Sequence, residues 1–168
     1  MKVAAALLAL LTTVAPGAAR DETATAVLQR GVDAARAGRH GEAVASLTRA
    51  LKQARAEGAA PALIGRVNGW LAIALEAIGD RRADAHYEAS VAALASDPDI
   101  INFLALARRA ISYRMASGQP ERAGEFVARM MARVEHANVD EETRVEAVNA
   151  AVAFYKRVGR KDAERMAL

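Results

Sequence analysis

The sequence predicts an all-α protein built of helix–turn–helix units in series, and three observations carry that reading. Much of its 53% hydrophobic content is alanine, with only 4% aromatic residues and 4 prolines. Alanine has the highest intrinsic helix propensity and loses no rotamer freedom on ordering. Apolar residues recur at helical spacing, and no β-branched run alternates with period two, so no sheet is expected. The third observation is an echo: Ala43, Ala83, Ala123 and Ala163 stand forty residues apart, each four or five positions after a glycine, namely Gly38, Gly79, Gly118 and Gly159.

The echo has a physical reading. A glycine just past a helix end takes the left-handed conformation that closes the helix. A few polar residues then reverse the chain, and Pro120 suits the first turn of the next helix. The small alanine allows two antiparallel helices to cross closely. The glycine pair around His40 in "GRHG" is therefore punctuation. It lacks the lysine–serine of a phosphate loop and follows a helix rather than a strand.

The amino-terminal stretch carries Lys2, an apolar run from Val3 to Leu11, and then Pro16-Gly17-Ala18-Ala19. That is the layout of a secretory signal, with small Gly17 and Ala19 before the cut. A retained anchor is the rival, but a spanning helix needs about 20 apolar residues, and this run ends sooner at Pro16-Gly17. The expectation is a signal peptide over 1–19, a helical domain over 20–168, and an exported protein, periplasmic or secreted, with no integral membrane span after signal removal.

Four units follow, near 24–57, 61–95, 98–136 and 140–168. The first carries the stripe Ala43, Val44, Leu47, Ala50, Leu51 and Ala54; the second carries Leu63, Val67, Trp70, Leu71, Ala74 and Ile78, then Ala83, Tyr87, Ser90, Val91 and Leu94. The third carries Ile100, Leu104, Ala107, Ile111 and Met115, then Ala123, Val127, Met130 and Val134. The fourth carries Val145, Val148, Val152 and Tyr155, and its second helix, after Gly159, has about eight residues. Between units, "EGAAP", "SDP" and "ANVDEE" are helix starts, with Asp97 as an N-cap and Asn138 with Glu141 as a capping box. Glu125, Arg129 and Arg133, spaced by four, read as a salt-linked exposed face.

Composition narrows the function classes. The chain has no cysteine, so its stability must come from packing rather than disulfides. Its net charge of +3 becomes +2 once Lys2 is removed, and the signs are mixed along the helices, which excludes a nucleic-acid stripe. His40, His86 and His136 fall in different places, without ligand spacing, so neither a metal nor a cofactor is expected. Trp70, Tyr87 and Met130-Met131 are read as packing, and the acidic pairs Asp21-Glu22 and Glu141-Glu142 as helix-start charges.

On Gly31, Ala34, Gly38, Ala43, Leu47 and Ala50, on Leu71, Ala72, Leu75, Gly79, Ala83, Tyr87 and Ser90, on Gly118, Ala123, Val127 and Met130, and on Tyr155, Gly159 and Ala163, the chain resembles the tetratricopeptide repeat family. The period of forty exceeds the roughly thirty-four residues of that family, and Trp70 is not at the family's tryptophan position. The resemblance implies a right-handed α-solenoid of about four repeats, whose first helices line a concave groove for a peptide or a partner's helix.

Fifteen residues before the marker alanines stand Leu28, Asn68, Arg108 and Val148, with Asn149 beside the last. If first helices line the groove, Asn68, Arg108 and Asn149 face it, flanked by Arg66, Arg109 and Arg114. Asparagine and arginine suit a peptide main chain or a carboxylate. The expected function is thus a protein- or peptide-binding adaptor in a bacterial cell envelope, not an enzyme. The alternatives are an enzyme, or a module serving one, acting on an envelope polymer through Glu76, and an array that self-associates into a homo-oligomer through its last helix.

Overall fold

The computed structural model describes residues 22–166, with side chains placed for 22–159; the expected signal peptide lies outside the described residues. Among them are seven helices and no strand: α1 Ala24–Arg36, α2 His40–Ala56, α3 Pro61–Ala77, α4 Ala83–Leu94, α5 Ile100–Ala116, α6 Pro120–His136 and α7 Glu141–Met166. The fold is all-α.

Local chemistry places most of the helix ends. Gly38, Gly79 and Gly118 have φ of 73°, 72° and 72°, as the turn reading requires. At each, the residue after the glycine donates its N–H five residues back: Arg39 to Ala34, Asp80 to Leu75 and Gln119 to Arg114, all at 2.9 Å. These bonds satisfy carbonyls that a helix end leaves without partners. Pro61 and Pro120 occupy the first turns of α3 and α6, where a missing N–H costs nothing. Two expected caps shift by two residues. Asp99, not Asp97, caps α5 through Ile101 N–H at 3.1 Å. Asp140, not Asn138, accepts from Thr143 N–H at 2.7 Å ahead of α7. In both cases the chain leaves its turn later than the first capping residue suggests.

The fourth turn does not form. α7 is continuous to Met166, and Gly159 lies within it, exposed and outside the positive-φ glycines. A glycine inside a helix costs about 1 kcal/mol relative to alanine, which good helix formers on both sides offset. Closing a turn there gains little, because only about eight residues would remain to pack back.

The helices pack as hairpins joined in series. α1 lies on α2, α3 on α4 and α5 on α6, while each following pair seats its first helix on both members of the preceding one. Consecutive first helices touch: α1 with α3, α3 with α5, α5 with α7. The backbones of α2, α4 and α6 do not approach one another. The marker residues Ala43, Ala83 and Ala123 are fully buried. Glycines tighten the same seams: an added Cβ on Gly31 would stand 2.6 Å from Leu47 Cγ, and one on Gly65 2.7 Å from Leu94 Cγ.

One stripe is out of register. On α7 the predicted core residues Val145, Val148, Val152 and Tyr155 are 47%, 40%, 43% and 62% exposed. The buried ones are instead Thr143, Ala147, Ala151 and Phe154. α7 has two apolar faces, and the smaller one fits its neighbours: Phe154 comes to rest over Gly124 of α6, where a Cβ would stand 3.5 Å from its ring.

Candidate binding groove

The touching first helices present a continuous surface, and side chains bridge each junction on it. Between α1 and α3, the Arg36 guanidinium lies 5.5 Å over the ring of Trp70. Between α3 and α5, Arg109 Nε donates to Glu76 at 3.0 Å. Between α5 and α7, Arg108 Nη1 donates to Glu146 at 3.1 Å. Trp70 is half-buried and packed against the core, as read from the sequence, and the arginine covers its indole face as aromatic faces favour.

A pocket of about 250 Å³ opens between α5 and α7. Ile111, Met115 and Phe154 give it an apolar wall, and Arg108 and Arg157 stand on its lining. Arg108 and Glu146 are both at least half exposed, so water competes for their pairing and the contact is weak. A ligand carboxylate can replace Glu146 at little cost.

The sequence-predicted residues divide. Arg66, Arg108, Arg109 and Asn149 are exposed on first helices, as a groove requires. Asn68 is not: it is 1% exposed, its Nδ2 donates to Ile64 O at 2.8 Å, and its Oδ1 meets His86 Nδ1 at 2.9 Å. Arg114 is fully buried, with Nε on Asp84 and Nη2 on Glu88, each at 2.8 Å, and Nη1 on the Arg122 carbonyl at 2.9 Å. Its guanidinium lies 3.9 Å from the Phe126 ring centre, so it clamps α4, α5 and α6 together.

The reason Asn68 misplaces itself is a counting one with a physical basis. A helix takes its rotation from its own C-terminal turn, not from the start of the next helix. Counted back ten from the closing glycine, the column reads Leu28, Gly69 and Arg108. Unit two has one residue fewer between glycine and alanine, and one residue rotates a helix by about 100°. Gly69 is a contact position: a Cβ there would be 2.5 Å from Leu106 Cδ1 of α5. Phe154 and Arg157, which complete the pocket, lie off the valine stripe of α7, on the helix's other apolar face.

Glu76, the carboxylate an enzymatic reading would use, is committed. It accepts from the Tyr87 hydroxyl as well as from Arg109. Burial, and then the Glu76 carboxylate beside it, push the Tyr87 phenol above its ordinary range. Burial acts against the charged Arg109, but Glu76 and Tyr87 together hold its pKa up.

On the other side of the molecule, the gap between α4 and α6 is a crevice of about 620 Å³ walled by Val91, Ala92, Phe103 and Ala132. The expected pairing of Glu125, Arg129 and Arg133 along α6 is replaced by bonds across this gap. Arg129 reaches Glu88, and Arg133 Nη2 donates to the Asp97 carbonyl at 2.6 Å. Glu125 lies 3.8 Å from Arg114. Glu88 of α4 accepts from Arg114 through one oxygen and from Arg129 through the other, and such contacts displace i,i+4 pairs worth only about 0.3–0.5 kcal/mol. The chain matches no known protein-family profile, no curated protein and no solved structure.

Proposed function

We propose that the chain is a tetratricopeptide-like, right-handed α-solenoid that holds a protein or peptide partner along its first helices. One observation carries the reading: first helices touch one another while second helices do not. Such a row curves with its first helices inward and leaves their outer residues without packing duty. In the pocket between α5 and α7, apolar Ile111, Met115 and Phe154 lie beside Arg108 and Arg157. That chemistry suits a peptide segment with an apolar side chain next to a carboxylate. The commitment of Glu76 to Tyr87 and Arg109 favours binding over catalysis at this surface.

The amino-terminal pattern of Lys2, the apolar run and Gly17-Ala18-Ala19 supports export to a bacterial periplasm or beyond, where the protein acts as an adaptor. No helix of the described residues is long and apolar enough to cross a membrane. The test is capture from an envelope extract on the immobilised protein, followed by titration of the retained partner. Arg108→Glu with Arg157→Glu should weaken binding about tenfold or more, with circular dichroism unchanged. Undiminished affinity sinks the groove assignment. Mass measurement of the exported protein should show residues 1–19 removed.

A further inference from the structure

The exposed face of α7 is unlike the rest of the surface. Four of its residues, Val145, Val148, Val152 and Tyr155, are among the exposed large hydrophobics of the described chain. Their spacing of three, four and three places them in one seam about 15 Å long, the pattern by which one helix receives another. The seam lies on the side of α7 turned away from α5 and α6. The residues that face those helices, Ala150, Ala153, Phe154 and Arg157 in the pocket and Ala147 in the core, occupy the opposite half of the helix, and buried Ala151 borders the seam. Residues after Gly159 continue α7 to Met166 and do not fold back over the seam.

We infer that this face binds the same face of a second copy, with the two α7 helices antiparallel. In that arrangement Val145 lies opposite Tyr155 of the other copy, and Val148 lies opposite Val152, in two pairs of equivalent layers related by a two-fold axis. The edge of the seam then aligns as well. On one side of it stand Glu142, Asn149 and Lys156, spaced by seven and all exposed. In an antiparallel pair this edge faces itself, so Glu142 of each copy meets Lys156 of the other. Asn149 meets Asn149 at the axis, where two amides donate to and accept from each other. In a parallel pair the two copies of this edge lie on opposite sides of the seam, so Glu142 and Lys156 do not meet. Charge complementarity thus selects both the occupant, a second copy, and its direction.

Sedimentation velocity of the full chain, from about 1 to 100 μM at low salt, tests this by mass action. A monomer–dimer equilibrium is expected, weakening as salt screens the edge pairs. Val152→Glu, at an exposed position, should leave the protein monomeric and helical. Glu142→Lys and Lys156→Glu should each weaken the dimer about tenfold or more, and the two combined should restore it. A monomer throughout the range overturns the inference, and so does a dimer indifferent to Val152→Glu. A charge exchange that fails to restore association overturns it too, as does a partner helix from another protein filling the seam in place of the second copy. None of these outcomes depends on the groove, because Arg108 and Arg157 lie outside the seam.

Discussion

Arg114 sits where a lone arginine would be ruinous, and its hydrogen bonds explain why it is tolerated. The guanidinium is fully buried, yet Asp84, Glu88 and the Arg122 carbonyl receive its N–H groups and Phe126 covers its face. Removing one member of such a set leaves the remaining charges without their partner, typically at about 3–5 kcal/mol. Asp84 and Glu88 are partly exposed, which moderates the cost. Arg114→Met should therefore lower the unfolding free energy by about 3 kcal/mol in urea denaturation, and a loss below a third of that would refute the clamp. His86 supplies a pH prediction. Burial first, then the charges of Arg55 and Arg82, depress its pKa below 6.5. The unfolded chain therefore takes up a proton that the folded chain resists. The stability it contributes is whole above pH 6.5 and is lost as pH falls from there toward the depressed folded value. His86→Gln should flatten this part of the stability–pH curve; an unchanged slope would show that other groups control it. Neither residue's role was legible in the sequence, where Arg114 was a flanking groove residue and His86 an isolated one. Their partners lie 8 to 30 residues away, on other helices.

At the scale of the element, two glycines of the same echo have opposite meanings. Gly118 has φ of 72°, a conformation an alanine adopts only with strain. Gly159 is helical, and a Cβ there meets nothing within 4 Å. Gly118→Ala should destabilise the protein by about 1 kcal/mol, and Gly159→Ala should stabilise it or leave it unchanged, by up to about 1 kcal/mol. Thermal denaturation of the two variants side by side decides; a matching loss at Gly159 would mean that the chain turns there. α7 teaches the same lesson from its side chains. Its valines are larger than its alanines and form the more obvious stripe, but α5 and α6 accept alanines and Phe154. Binary patterning reports that a helix has an apolar face. With two such faces it does not report which one its neighbours cover.

For the whole molecule, contacts run between neighbours in series, so local stability should vary along the row. α3 touches α1, α2, α4 and α5, whereas α7 touches only α5 and α6. Native-state hydrogen exchange should find the slowest amides in α3, α4 and α5 and faster exchange in α7, with the α7 amides slowing at concentrations where the second copy binds. Uniform protection across all helices would show a single cooperative block instead. What the sequence determined by itself was local: that the chain is helical, where three hairpins turn, and that glycine and alanine recur with the pairs. Helix propensity and the end-closing glycine act within a few residues, so they are written in contiguous text. The tertiary structure alone decided that Asn68 is buried, that Arg108 and Arg157 share a pocket, and that the valines of α7 face outward. Each depends on the rotation of one helix against another, and a register change of a single residue turns a side chain by about 100°.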